Sequence, residues 1–164
     1  MDALPRDVLG IIYADYLSLR SDEISSGFRS AFQTIIQCMI DGIAPIEKYH
    51  IYENVAHSIR VMKCVFSNKD STDCSDFITR YTRCVFLIGT VRYVIRIETT
   101  IQKQTKCGHG KPDVLYACSV YADKPEGSEK YVDIIRDVLS DVLPITHGTM
   151  GVCWSGNSSK SVAI

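Results

Sequence analysis

The side chains of this protein best suited to chemistry are its seven cysteines and four histidines. The tightest grouping is Cys107-Gly-His109, with Cys118 further along the chain. Zinc sites usually combine two closely spaced pairs of ligands, and only one such pair occurs here. A cysteine nucleophile would need a positioned base, and no local catalytic motif surrounds Cys107, Cys118 or Cys153. We therefore predict neither a metal site nor a catalytic cysteine.

The glycine-rich segment from Lys106 to Lys111 resembles a phosphate-binding loop in composition. Such a loop requires a glycine, four residues and then Gly-Lys-Ser/Thr that opens directly into a helix. Here a proline and a strand-like stretch follow, so the segment is predicted to connect two strands. With no other catalytic pattern in the chain, we expect a non-enzymatic protein that needs no cofactor.

Charge is distributed unevenly along the chain. Residues 77–111 hold seven basic side chains and one acidic side chain, Glu98, whereas residues 112–143 hold three basic and seven acidic ones. This asymmetry indicates an anionic partner, self-association of opposite patches, or a solvated face whose charges interleave in space. The candidate residues for binding RNA, lipid phosphates or another anion are Arg80, Arg83, Arg92, Arg96, Lys103, Lys106 and Lys111.

Length and composition limit the class of protein. A chain of 164 residues, 46% hydrophobic and 23% charged, suits one domain with one core. No apolar run approaches the roughly 18 to 20 residues that a membrane span needs, and the N-terminus lacks a signal-peptide pattern. We therefore expect a protein that is neither secreted nor membrane-spanning, and the odd number of scattered cysteines is typical of free thiols in a reducing compartment.

The first half of the chain is predicted to contain two helices within residues 26–66. The segment Asp7 to Ser21 suits either a helix or a strand, and its β-branched and aromatic residues slightly favour a strand. From Phe28 to Ile43, apolar residues recur at helical spacing. A second stripe with the same period consists of Tyr52, Val55, Ile59, Met62 and Phe66.

After residue 77 the pattern favours strands. Thr79 to Ile101 is rich in β-branched and aromatic residues, and a hairpin turn is predicted near Gly89-Thr90. Alternation along the second strand of this hairpin places Arg92 and Arg96 on one face. The other face then carries Tyr93, Ile95, Ile97, Thr99 and Ile101.

The C-terminal part is predicted to contain a strand over Val114–Ala122, a helix over Glu129–Leu143 and a last strand over Thr149–Ser155. The helix carries a ridge of Asp133, Asp137 and Asp141, whose like charges cost about 0.2–0.5 kcal/mol per pair. We expect this ridge to face cations, for example the basic face of a neighbouring copy. The predicted fold is a single α+β domain over residues 1–156, followed by a mobile tail over 157–164. Its mostly antiparallel sheet packs against two N-terminal helices and one C-terminal helix.

The opening stretch Leu4-Pro-Arg-Asp-Val-Leu-Gly-Ile-Ile-Tyr-Ala-Asp-Tyr-Leu17 resembles the start of an F-box. This resemblance implies docking of the segment on a host ubiquitin-ligase adaptor. It covers about a tenth of the chain and lacks the Trp or basic-aromatic ending of the motif.

Three other stretches, in the predicted order of elements, resemble a second family: Gly27-Phe-Arg-Ser-Ala-Phe-Gln-Thr-Ile-Ile36, Tyr81-Thr-Arg-Cys-Val-Phe-Leu-Ile88 and Val120-Tyr-Ala-Asp-Lys124. Together they are similar to a rhabdovirus matrix protein of the short plant or arthropod type. The resemblance implies a self-assembling structural protein of the virion and host cytoplasm, which bridges nucleocapsid RNA and an anionic membrane surface. The lysine-rich arm and Pro-Pro-x-Tyr motif of animal members are absent from this chain.

Overall fold

A computed structural model describes residues 6–51, 57–70, 77–102, 114–124, 126–143, 149–154 and 159–163. In chain order its elements are α1 (Arg6–Asp41), β1 (Lys48–His50), β2 (Ser58–Asp70), β3 (Phe77–Ile88), β4 (Val91–Gln102), β5 (Val114–Ala122), α2 (Glu129–Val142), β6 (Thr149–Trp154) and β7 (Ser159–Ala163). These elements form a single α+β domain, as predicted.

The strands form one sheet in which each strand lies beside the next along the chain. β1 to β5 are antiparallel throughout. β6 pairs with β5 in parallel, because α2 supplies the crossover that a parallel connection requires, and β7 returns antiparallel to β6. β7 lies in the segment for which a mobile tail was predicted.

Both helices pack on the same face of the sheet, and the core lies between the two layers. Phe32 of α1 contacts Phe86 of β3, with ring centroids 5.8 Å apart. Tyr131 of α2 meets Phe28 at 4.7 Å and Tyr93 of β4 at 6.1 Å. Phe28, Phe32, Phe86 and Tyr93 are all fully buried, so aromatic contacts join all of these elements around one core.

The hairpin predicted near Gly89-Thr90 is confirmed. β3 ends at Ile88 and β4 begins at Val91, with full antiparallel register between them. Gly89 has a φ of +59°, a left-handed conformation that glycine adopts without steric cost. The predicted division of β4 into two faces also holds, since Tyr93, Ile95 and Ile97 are buried while Arg92 and Arg96 are exposed.

The preference for a strand over Asp7–Ser21 is wrong, because this segment belongs to α1. The 36-residue helix runs from Arg6 through the Ser25-Ser26 pair to Asp41 without interruption. Residues 28–39 contribute the buried positions of the helix, and helix formation propagates easily from an established segment. β-branched residues lower helix propensity only slightly, so they do not stop this extension.

The prediction of a second N-terminal helix is also wrong, because its C-terminal half is strand β2, and the described residues contain two helices rather than three. A β-bulge between Val61 and Lys63 explains the misleading periodicity. The extra residue makes the helix-facing positions of β2 recur after two, three and two residues. Ile59 and Phe66 therefore share a face although they are seven residues apart, as they would in a helix, while Met62 of the predicted stripe lies in the bulge. By their pairing with β3 the helix-facing positions are Ile59, Val61, Cys64 and Phe66.

Candidate functional site

The face of β1 to β5 that lies away from the helices is here called the open face. Arg83 of β3 and Arg92 and Arg96 of β4 project from it, and all three are exposed. Directly paired residues of antiparallel strands share a face of the sheet. The register therefore adds Arg83 to the face that alternation within the strand already predicted for Arg92 and Arg96.

Arg83 and Arg96 are directly opposite each other in the β3–β4 ladder. Such partners have Cβ atoms about 4.5–5.5 Å apart, and like charges in this arrangement destabilise a sheet. The same row continues to Val65 of β2 on one side and Ser119 of β5 on the other. Neither of these neighbours has a charge that could compensate the two guanidinium groups.

The three arginines surround a depression of about 280 Å³ on the open face. Val94 lies in its floor and is only 5% exposed, although its side chain faces away from the helices. Tyr121 of β5, directly opposite Val94, contributes an aromatic wall. The depression thus combines guanidinium donors with an apolar floor, which suits a phosphate group attached to a planar or apolar body.

The cluster of Arg83, Arg92 and Arg96 has no ion pair to a carboxylate among the described residues. Among the residues that the structure describes, the guanidinium groups of Arg83, Arg92 and Arg96 form no salt bridge. Asp123 lies nearby, but its Oδ1 accepts a hydrogen bond from the backbone N–H of Arg92 at 2.9 Å. Glu98 occupies the row beyond Arg96, opposite Tyr81. An anion from outside the chain could therefore complete the electrostatics of the cluster.

Three further cations extend the open face, and sequence reasoning missed them. Arg60 of β2 lies opposite Leu87, which in turn pairs with Arg92, and Lys48 of β1 lies opposite Arg60. Lys63 occupies the neighbouring row of β2. All three side chains are exposed. They were missed because residues 48–66 were not recognised as strands, so no face could be assigned to them.

The other predicted anion-binding residues do not join this cluster. Arg80 is exposed, but it is an even number of residues away from the buried Cys84 and Phe86 in β3 and so lies on the same, helix-facing side of the sheet. Lys103, Lys106 and Lys111 lie outside the described residues. The seven basic residues within 77–111 therefore do not form one surface. Three lie on the open face, Arg80 lies on the helix side, and the three lysines are outside the described residues.

The acidic ridge of α2 meets cations within its own chain. Arg29 of α1 forms ion pairs with Asp137, at 3.9 Å, and with Asp141. Asp133 accepts a hydrogen bond from Arg136, one turn further along α2, at 3.1 Å. A neighbouring copy that used this ridge, as predicted, would have to compete with Arg29.

The described cysteines and histidines do not approach one another as metal ligands. No group of three or more His, Cys, Asp and Glu side chains with metal-site geometry occurs among the described residues. Cys107 and His109 lie outside that part of the chain. Cys118 is buried in β5, where desolvation raises the pKa of its thiol to about 12 and so disfavours the nucleophilic thiolate.

In the described part of the chain, neither helix combines the length and apolar character needed to cross a bilayer. No protein-family model, curated protein or solved structure matches the chain.

Proposed function

We propose that the protein is a non-enzymatic structural protein of the matrix type, which coats an RNA-containing nucleocapsid through the open face of its sheet. The observation that supports this role is the directly opposed pair Arg83 and Arg96, flanked by Arg92, with no ion pair to a described carboxylate. The matrix assignment itself comes from the resemblance in sequence. Such a role places the protein in the virion and the host cytoplasm.

The repulsion between two like charges placed directly opposite each other destabilises the folded sheet. A bound phosphate group would remove this repulsion and would also be held by the arginines, because guanidinium and phosphate form charge-assisted, often bidentate hydrogen bonds. Release of condensed counterions from the nucleic acid would add to the affinity. Among the side chains that the structure describes, six exposed cations lie on the open face: Lys48, Arg60, Lys63, Arg83, Arg92 and Arg96.

Tyrosines on the open face favour single-stranded RNA over a lipid surface as the main ligand. Tyr81 is 37% exposed and lies two residues from Arg83, and Tyr121 lines the depression. Sequence-tolerant binding of single strands commonly combines a basic surface with aromatic side chains on which bases stack. Lipid headgroups would use the cations without using the aromatic rings. An additional peripheral contact with an anionic membrane is compatible with the same charges.

The test is binding of a fluorescent single-stranded RNA, measured by anisotropy across a series of salt concentrations. Arg83→Glu/Arg96→Glu removes two phosphate contacts, so we expect roughly 100-fold or more weaker binding at low salt. For single strands, the slope of log K against log salt should fall in magnitude by roughly 1.4. Tyr121→Ala should weaken binding while leaving the slope unchanged, since stacking releases no counterions.

A matched control, Arg80→Glu/Lys130→Glu, makes the same change in charge at exposed residues away from the open face. It should reduce affinity far less than the Arg83/Arg96 variant. Equal losses in the two variants would show that only overall charge matters and would contradict the proposed site. Binding of the wild type to vesicles of anionic lipid, with none to RNA, would replace RNA by a membrane surface as the ligand.

A further inference from the structure

The N-terminal part of α1, residues 9–23, is here called the N-terminal arm, and every residue in it is exposed. Fifteen helical residues extend about 22 Å at 1.5 Å per residue. The arm continues α1, but glycine, isoleucine and tyrosine are not strong helix formers, and most helical stability in proteins comes from tertiary packing. An arm of this composition is expected to gain stability from a partner that packs against it.

The arm exposes an unusually apolar surface for a single helix. Seven of its residues are large hydrophobic side chains with exposed fractions between 48% and 66%: Leu9, Ile11, Ile12, Tyr13, Tyr16, Leu17 and Leu19. Ile11 lies on the other side of the helix. The remaining six, at roughly 100 Å² each, present roughly 600 Å² of surface, at the upper limit of the 300–600 Å² of the largest apolar patch on a typical monomer. A patch of this size marks an interaction surface.

We propose that the N-terminal arm pairs in parallel with the same arm of a second copy of this chain, forming a dimer. Leu9, Ile12, Tyr16 and Leu19 follow one another at spacings of three, four and three residues, which is the a and d pattern of two heptads. Tyr13 flanks this stripe. Pairing these five side chains would bury roughly 500 Å² per copy, close to the lower limit for a specific interface. The dimer should therefore dissociate on dilution.

Charges beside the stripe determine the orientation of the pair. With Leu9 and Tyr16 at a, Asp15 falls at g and Arg20 at the following e position. In a parallel pair, g of one helix faces the next e of the other, so two symmetry-related Asp15–Arg20 ion pairs form. In an antiparallel pair g faces g, which would bring Asp15 close to its own copy. Charge complementarity thus selects the parallel arrangement.

The side chain of Arg20 is already placed along this edge of the arm. Its Nη1 donates a hydrogen bond to the hydroxyl of Tyr16 at 2.9 Å, and its guanidinium lies 6.0 Å from the centre of the same ring. A guanidinium has five N–H donors, so one group can serve both Tyr16 and a carboxylate of the second copy.

An anionic membrane is a poorer partner for the arm. Helices that lie on such membranes carry lysine and arginine on their polar face. The polar face of this arm instead contains Asp15, Ser18, Ser21 and Asp22. A membrane-bound arm would bring these carboxylates towards like-charged headgroups.

The test is sedimentation velocity of the full chain from roughly 1 to 100 µM, the range in which interfaces near the size limit dissociate. The wild type should approach twice its 18.4 kDa mass at the upper end. Ile12→Lys/Leu19→Lys places charges at both d positions and should remain monomeric. The control Ile11→Lys/Ser18→Lys adds the same charge at exposed positions off the stripe and should still dimerise. Circular dichroism would verify that both variants stay folded.

Charge exchange tests the orientation. Asp15→Arg or Arg20→Asp alone turns two attractive pairs into two repulsive ones and should weaken the dimer roughly 4- to 30-fold. An equimolar mixture of the two single variants should recover wild-type affinity, because each heterodimer contains two opposite-charge pairs. Failure of the mixture to recover would exclude the parallel register. A wild type that is monomeric at all concentrations, with or without binding to anionic vesicles or to a ubiquitin-ligase adaptor, would overturn the dimer.

Discussion

Arg29 of α1 and Asp141 of α2 form an ion pair that joins the two helices along their exposed side. The second carboxylate near Arg29, that of Asp137, is 3.9 Å away. Arg29 therefore neutralises part of an acidic ridge whose members would otherwise repel one another. The Arg29–Asp141 contact links residues 112 positions apart in sequence, so no local sequence pattern could have revealed it.

The first prediction concerns the contribution of this ion pair to stability. Because both side chains are about half exposed, Asp141→Asn should lower the free energy of unfolding by only about 0.5 kcal/mol, and less at high salt. Arg29→Met should cost about 1 kcal/mol, since it loses the contact with both carboxylates and leaves the ridge repulsive. Urea denaturation at low and high salt would measure both. Asp133→Asn, whose carboxylate pairs with Arg136 on the same helix, is the control and should change the effect of Arg29→Met far less than Asp141→Asn does.

The second prediction concerns Tyr93, which is fully buried and stacks on Phe86 with the ring planes 8° apart. Its hydroxyl has no hydrogen-bond partner among the described residues. Tyr93→Phe keeps the ring and removes the unpaired group, so it should raise the free energy of unfolding by about 1 kcal/mol. Phe86→Ala, in contrast, should cost about 3–5 kcal/mol by leaving a cavity. A destabilising Tyr93→Phe would mean that the hydroxyl has a partner.

How far the sequence predicts this fold depends on how regular each local pattern is. From Arg92 to Glu98, β4 alternates in polarity except at Val94, a glycine turn separates it from β3, and α2 has one apolar face, so the type of these elements follows from local sequence patterns. β2 contains a bulge that imitates helical spacing, and its strand character is stabilised by pairing with β3. Pairing is a tertiary interaction, and the sequence of β2 does not specify it.

The candidate site likewise contains residues whose position follows from local sequence and residues whose position depends on strand pairing. The side of the sheet that Arg92 and Arg96 occupy follows from alternation within one strand. The position of Arg83 opposite Arg96 follows only once the hairpin register is known. Lys48, Arg60 and Lys63 could not be assigned, because their strands were not recognised. Arg80 shows the limit of counting charges, since it is near Arg83 in sequence and on the other face of the sheet.

The third prediction concerns the glycines of α1. A Cβ atom at Gly27 would lie 2.6 Å from Cγ2 of Ile51, whereas one at Gly10 would meet nothing within 4 Å. Gly10→Ala should therefore increase helix content and stabilise the helix by about 0.5–1 kcal/mol. Gly27→Ala gains the same propensity but should be destabilising by about 1 kcal/mol, because overpacking costs about 1–3 kcal/mol.

Circular dichroism would measure the helix content of both variants, and urea denaturation would measure their free energy of unfolding. Ile51→Ala removes the methyl group that the new Cβ atom at position 27 would contact, so the double variant should show Gly27→Ala to be stabilising in that background. If Gly27→Ala were equally harmful with and without Ile51, the close contact would not be the cause.

The last prediction concerns the buried thiols of Cys84 and Cys118. Desolvation by burial is the main cause that raises the pKa of each from 9.0 to about 12. In the unfolded chain these thiols ionise above pH 9, whereas in the native protein they remain protonated. The unfolded state then binds fewer protons than the native state, so stability is fully present below pH 9 and falls as the pH rises towards 12.

Urea denaturation at several pH values should show this loss, and Cys118→Ala should reduce it at some cost in packing. Alkylation provides an independent measurement, since only the thiolate reacts. Iodoacetamide at about pH 8 should modify Cys84 and Cys118 in the native protein far more slowly than in urea. Equal rates in the two states would show that the thiols are neither buried nor protonated as the structure requires.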